Sequence, residues 1–280
     1  MCVAAAPLEC RRRRRPLSEE NRSRRVMPTP TEFMRRYRNL SINAVIEDPT
    51  SKICRSASFV VQITKYFMMD WTDGTEERRD YDTVTRGPKK DAWFDLNRER
   101  IRSAAMGKGA PQDYQLALAW AVRSKKITTV TQASLQAYSD EHLGIDCSGF
   151  VTNYLVANGK KTYSSDTVRN TSAASYYSAA NAINDPGRIQ RGDLLVWMDG
   201  NSVKSNPGHV AVVESYVPQS LGGGNMRVVE ATGASGANPK LLDSMYAVER
   251  IIPKGGAVPS MILVVKRHGV SGSRVAVMRV

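Results

Sequence analysis

The spacing of apolar and polar positions changes character about halfway along the chain. From Gln112, Leu116, Ala119, Trp120 and Arg123 follow one another at three-to-four spacing, which predicts a helix. A second helix is predicted from Thr131 to about Tyr138. A third follows Asp146, a good N-cap, and carries Phe150, Val151, Tyr154 and Leu155 on one face. Asn158-Gly159 is its stop signal. The stretch 156–190, rich in Ser, Ala, Asn and Tyr, reads as a helical insertion, and beyond it the period shortens. Leu194 to Trp197, His209 to Tyr216, Arg227 to Ala231 and Met261 to Val265 are short β-rich runs separated by Gly, Pro and Asn. Helices first and strands afterwards predict an α+β domain, with helices packed on a central antiparallel sheet.

The first 110 residues are less regular. Phe59-Val60-Val61-Gln62-Ile63 reads as a strand, and Asp73-Gly74 and Gly87-Pro88 as turns. Gly107, Gly109 and Pro111 mark a boundary. Three stretches result: a disordered basic tail at 1–30, an extension or small domain of open role at 31–110, and the α+β domain at 111–280.

Composition changes this picture at one end only. The 280 residues are 41% hydrophobic and 24% charged, ordinary globular values. No apolar run reaches the roughly 18–20 residues of a membrane span. Of the formal net charge of +13, +7 falls within residues 1–38, where eleven Arg face four Glu. The run Arg11 to Arg15 reads as a solvated tail able to linger near polyanions, not as a specific nucleic-acid site. Cys2 to Leu8 is short, precedes the charges and is followed by Glu9, so it does not read as a cleaved secretory signal. Met27 and Met34 are alternative starts.

The candidate chemistry lies at Cys147 and His209. The four cysteines show no metal-type pair spacing, so no metal or other cofactor is expected. Cys147 follows the cap Asp146 and opens a helix, where unpaired amides and the helix dipole favour a nucleophilic thiolate. Most cysteines are simply small buried hydrophobes; this placement argues for a used one. Of three histidines, His209 follows the turn Pro207-Gly208 and heads an apolar strand at the sheet rim. His142 and His268 are poorer placements for a base. Alternation puts His209, Ala211 and Val213 on one face and Val210, Val212 and Glu214 on the other. Glu230, on the adjacent strand of a hairpin, can face His209 across the ladder and orient its ring; Glu214 points away.

These motifs, Asp-Cys-Ser-Gly-Phe-Val at 146–151, Arg-Gly-Asp-Leu-Leu at 191–195 and Gly-His-Val-Ala-Val-Val at 208–213, together resemble the NlpC-type branch of papain-like cysteine peptidases, over about residues 112 to 267. The resemblance implies a papain-like fold, Cys147 as nucleophile and His209 as base. It implies a third polar residue on the next strand, usually His, Asn or Gln, where this chain has Glu230. Gly192-Asp193 turns the chain into the first core strand in that family. In some members the residues flanking the cysteine, here Asp146 and Ser148, bind the substrate's free amine with an upstream tyrosine, for which Tyr138 is the nearest candidate.

The implied activity is hydrolysis of amide bonds in peptidoglycan stem peptides through an acyl-enzyme. With no standard signal peptide, the expectation is a bacterial protein made in the cytoplasm. It would be exported to act in the periplasm or on the cell wall, as an antibacterial effector with a cognate immunity protein. Two other readings stand beside it: a papain-like acyltransferase or deamidase acting on a lipid or protein, and a non-catalytic basic module binding cell wall or nucleic acid.

Overall fold

The computed structural model describes residues 27–47, 54–86, 91–219, 222–236 and 238–280. The basic stretch up to residue 26 and the Gly87-Pro88 turn lie outside them.

The N-terminal part opens with α1 (Pro30–Arg38). Thr29 and Glu32 form a reciprocal capping box, and Pro30 sits where its missing N–H costs nothing. The buried face of α1, Phe33, Met34 and Tyr37, packs inward. A hairpin follows, β1 (Leu40–Glu47) with β2 (Cys54–Val61), then β3 (Lys65–Tyr66), α2 (Glu76–Thr85) and α3 (Ala92–Ala105). The helical part comprises α4 (Pro111–Arg123), α5 (Gln132–His142), the two-residue β4 (Gly144–Ile145), α6 (Cys147–Ala157) and α7 (Ser165–Asn170). Two glutamines of α5 bond the outer edge of the hairpin. Gln132 accepts from Val60 N and donates to Val60 O, and Gln136 does the same at Gln62. An edge that would template further strands is thereby covered.

The predicted helices at 112, 131 and 146 are present as α4, α5 and α6, the last stopped at Asn158. The stretch 156–190 differs from the predicted helical insertion. It holds only α7 and three single 3-10 turns among irregular segments. Its many Ser and Asn side chains bond nearby backbone, as Ser164 does to Thr167 N and Ser175 to Ser172 O, in competition with a helical ladder.

The C-terminal strands are β5 (Leu194–Asp199), β6 (Ser202–Val203), β7 (Val210–Pro218), β8 (Gly224–Ala231), β9 (Leu241–Ile252), β10 (Ile262–Arg267) and β11 (Val270–Met278). The chain is α+β, but its antiparallel sheet is not the open central layer that the sequence predicts. Strands β5-β7-β8-β9-β10-β11 run in sequence, and β11 pairs back onto β5 with Val275 opposite Trp197. The six strands therefore close into a barrel, with β6 appended to β5. Closure follows from β9 and β11, which supply the missing walls and leave no long open edge. Leu195, Trp197, Ala211, Val213, Val228, Tyr246, Leu263 and Val275 fill the interior as one cluster. The alternate residues, Leu194, Val196, Val210, Val212 and Val229, face outward into a second cluster with the helices. Helices thus cover part of the outside of a barrel.

That outer cluster is continuous across the boundary at 107–111, joining Phe33, Tyr37, Ile63, Val84 and Ile101 to Phe150, Leu155, Val212 and Met278. Phe33 and Tyr37 meet the Phe150 ring of α6 at 5.7 and 6.0 Å, each such pair adding about 0.5–1.5 kcal/mol beyond burial. Glu214, buried on β7, accepts from Thr31 N (2.9 Å) and Thr31 Oγ1 (2.8 Å), tying α1 to the barrel.

Candidate active site

Cys147 occupies the first position of α6. Asp146 precedes it in extended conformation, and its carboxylate accepts the Gly149 N–H. Phe150 N makes the first intrahelical bond, to Asp146 O at 3.1 Å, so the amides of Cys147 and Ser148 have no acceptor within the helix. The glycine of the motif has a steric cause. A Cβ on Gly149 would collide with the Gly107 carbonyl and lie 2.9 Å from Lys108 Cα. Gly107 O in turn accepts Asp146 N at 2.9 Å, so the segment between α3 and α4 is laid across the first turn of α6.

The imidazole comes from the barrel rim. His209 ends the turn before β7, its carbonyl accepts Trp197 N at 3.1 Å, and its ring stands edge-on to Trp197 at 4.4 Å. Nε2 lies 2.8 Å from Glu230 Oε2, and the ring interacts with Cys147 as well as with Glu230. Burial pulls the His209 pKa down, but hydrogen bonds to Cys147 and Glu230, together with their charges, outweigh it. The net result is a rise from 6.5 to about 9.

Glu230 is fully buried. The ladder sets Val212 opposite Val229, so Glu230 shares the inward face with His209 as its diagonal neighbour. Its second oxygen, Oε1, meets His268 Nε2 at 2.9 Å, and Arg267 Nη1 lies 3.5 Å from Oε2. Arg267 also donates to Thr232 Oγ1 and stacks over the Trp197 ring at 4.9 Å. Burial would raise the Glu230 carboxyl. The bonds from His209 and His268 and the charges of His209 and Arg267 instead hold it well below the usual carboxylate range. His268 and Arg267 sit at the tight β10–β11 turn, past the last strand that the sequence pattern marks, and no spacing motif points to them.

The rival groups go elsewhere. Glu214 faces α1, and His142 Nδ1 pairs with Asp80 at 3.0 Å. Tyr138 is buried with its ring against His142 at 4.7 Å. The tyrosine beside the sulfur is Tyr66, whose hydroxyl points to Cys147 Sγ across 4.0 Å. Burial, then the neighbouring Cys147, push its phenol well up. The parallel pairing of β3 with β4 puts it there, with Tyr66 opposite Ile145, a long-range pairing that a local reading does not reveal.

Asp146 and Ser148 are already occupied. The Lys108 ammonium lies 2.5 Å from Asp146 Oδ2, bonds Ser148 Oγ and donates to Thr171 O at 3.1 Å. Three N–H donors meet three acceptors, so the place where the resemblance puts a substrate amine is filled by the chain's own amine. Burial raises the Asp146 carboxyl, against the pull of Lys108. Gly192-Asp193 makes the expected turn into β5. Gly192 has φ +85°, and Asp193 accepts from Gln190 N and from Arg279 Nε, both at 2.9 Å.

Cys147 is a free thiol and only 5% exposed, while Cys54 is disulfide-bonded. A cavity of about 730 Å³ is lined by Phe33, Pro111, Tyr163 and the C-terminal part of α6, and Cys147, His209 and Glu230 do not line it. Geometry and chemistry, not cavity size, mark the site. Among the described residues no cluster of His, Cys, Asp and Glu is arranged to hold a metal ion, and no helix is long and apolar enough to cross a membrane.

No curated protein and no solved structure matches the chain. A family model does, over residues 136–232, about a third of the chain and the part that carries Cys147, His209 and Glu230. That segment matches the CHAP domain, a cysteine/amidase domain of the NlpC and papain-like kind.

Proposed function

We propose that the protein is a cysteine hydrolase that cleaves amide bonds within peptidoglycan stem peptides, with Cys147 as nucleophile, His209 as acid and base, and Glu230 as its orienting carboxylate. The observation that carries this reading is the grouping of Cys147, His209 and Glu230, brought together from a helix start and a barrel rim, with the imidazole bonded to the carboxylate at 2.8 Å and interacting with the cysteine. A His209 pKa of about 9 leaves the ring protonated at neutral pH, as the counter-ion that a thiolate needs. The sulfur attacks the scissile carbonyl carbon. The free amides at the start of α6 are suited to hold the resulting oxyanion, a contribution of about 3 kcal/mol per donor in comparable sites. His209 gives its proton to the leaving amine, then takes one from the water that releases the acyl group. Glu230, held ionised by its neighbours, keeps the ring in one tautomer throughout.

The filled amine site narrows the substrate. With Lys108 bonded to Asp146 and Ser148, a peptide with a free amino end finds no acceptors there. A stem whose amino end is acylated fits better, as when it is still attached to glycan, with the γ-D-glutamyl to diaminopimelate link as first choice. The test is digestion of purified sacculi, with mass analysis of released muropeptides. Wild type releases peptide products and Cys147→Ala does not; intact sacculi with both proteins overturn the reading. Delivery to the periplasm of a neighbouring cell, opposed by an immunity protein, is part of the same proposal. It predicts a growth defect when the chain is directed to the periplasm, absent with Cys147→Ala.

A further inference from the structure

Glu230 offers two oxygens, and a different imidazole takes each. Oε2 is bonded to His209 Nε2 at 2.8 Å and Oε1 to His268 Nε2 at 2.9 Å. A carboxylate that only had to orient His209 would need one of these contacts. A fully buried anion must be matched on both oxygens or lose much of its stability. His268 supplies the second contact from a turn where its backbone adopts φ +48°, a left-handed conformation uncommon outside glycine. Its ring also lies edge-on to Tyr246 at 6.3 Å, as Tyr246 does to Trp197 at 6.2 Å. A continuous aromatic and charged ring of side chains thus encloses the carboxylate.

We propose that His268 is a positioning residue of this site: through the carboxylate that it shares with His209, it sets how strongly Glu230 holds the reacting imidazole. The proposal rests on the reading of Cys147 and His209 as nucleophile and base. The ionisable and charged groups around the shared carboxylate are His209 from the β7 rim, Arg267 and His268 from the β10–β11 turn and the Tyr246 phenol from β9, with Cys147 beyond His209. Of these, His268 bonds the oxygen that faces away from His209, at 2.9 Å. Its N–H draws part of the carboxylate charge away from the catalytic ring. Removing it concentrates that charge on His209, which then keeps its proton to higher pH.

Iodoacetate reads this without any substrate. As an anion it is drawn by a protonated His209, so its rate with Cys147 falls as that ring loses its proton. His268→Ala should move this alkaline limb upward by about half a unit to one unit, a fraction of the one to three units that a full charge produces at this range. His268→Gln, which can return an N–H to Oε1, should bring the limb back toward wild type. In a Glu230→Gln background, His268→Ala should change nothing further. An unmoved limb in His268→Ala, a downward shift, or a shift that persists without Glu230 overturns the proposal.

Should His268→Ala not fold, the wild-type chain still decides. It has three histidines, so the imidazole resonances of His209 and His268 can be followed against pH beside His142. Mutually dependent titrations that become independent in Glu230→Gln support the role, and independent titrations in wild type overturn it. Hydrolysis of sacculi is scored separately. A shifted limb with no muropeptide release sinks the hydrolase and leaves His268 in place; release with an unmoved limb does the reverse.

Discussion

Glu230→Gln is the substitution that most directly tests how the site is powered. It keeps the side-chain shape and an oxygen acceptor but removes the charge. The carboxylate contacts His209 Nε2 at 2.8 Å, and the two charge centres lie about 4 Å apart. At an effective dielectric of about 20, opposite charges at that distance attract by about 4 kcal/mol. At about 1.4 kcal/mol per unit, this corresponds to about three pKa units. Burial opposes the charged ring and survives the substitution, while the interaction with Cys147 also survives and opposes burial. The His209 pKa should therefore fall from about 9 by about one to three units.

The assay is the rate of Cys147 carboxymethylation by iodoacetate from pH 5 to 10, read from the mass of the Cys147 peptide so that other thiols do not contribute. Wild type should hold its rate up to about pH 9. The variant should lose it one to three units lower, by about that margin, and hydrolysis should follow the same curve. A variant limb that coincides with wild type would show that Glu230 does not charge the ring. The three-residue account of the site would then be wrong, whatever the activity.

Three other changes probe the supports. Gly149→Ala forces a Cβ into the Gly107 carbonyl and should cost about 1–3 kcal/mol or more, seen as a lower midpoint in urea. Lys108→Met strands a buried Asp146 carboxylate that Lys108 now neutralises at 2.5 Å. It should cost about 3–5 kcal/mol by the same measurement, whereas Lys108→Ala, if folded, should gain activity on peptides with free amino ends. The pH dependence of stability has a definite sign. Because the folded His209 pKa is raised from 6.5 to about 9, its contribution is complete below about pH 6.5 and is lost as pH rises through about 9. The unfolding free energy, read from urea midpoints, should thus decline between pH 7 and 10 by an amount on the order of 3 kcal/mol, and His209→Gln should flatten that decline.

Which parts of the site are legible in the sequence follows from how local their causes are. A cap residue, a turn and a two-residue period are enough to place Cys147 at a helix start and to set His209 and Glu230 on one face of neighbouring strands. The closure of the barrel was not legible. In β9 the buried residues Ser244, Tyr246 and Val248 alternate with exposed Met245, Ala247 and Glu249, so two outward positions are apolar, one inward position is polar, and hydrophobicity does not alternate with burial. In β11 the strand begins Val270-Ser271-Gly272, exposed and turn-like, and passes through half-buried Ser273 and Arg274 before its buried end. Without those two strands there is no reason to bring His268 back to Glu230. Tyr66 and Lys108 escape for a related reason: each reaches Cys147 or its neighbours through backbone pairings made far along the chain.

These contacts also show what holds Cys147 in place. The segment 136–232 that matches the CHAP domain contains the sulfur, the imidazole and the carboxylate, but much of what fixes them lies outside it. Gly107 O holds the Asp146 amide, Lys108 holds the Asp146 side chain, and Phe33 and Tyr37 back the α6 ring Phe150. Tyr66 covers the sulfur, and Arg267 with His268 completes the surroundings of Glu230. A thiolate and an imidazolium are useful only within hydrogen-bond reach, and an error of about 1 Å can cost a hundredfold in rate. The described part of residues 31–110 therefore supports the segment that carries Cys147, because one continuous core runs from α1 through α6 to the barrel wall. The motifs name Cys147, His209 and Glu230, and the rest of the chain sets the distances between them.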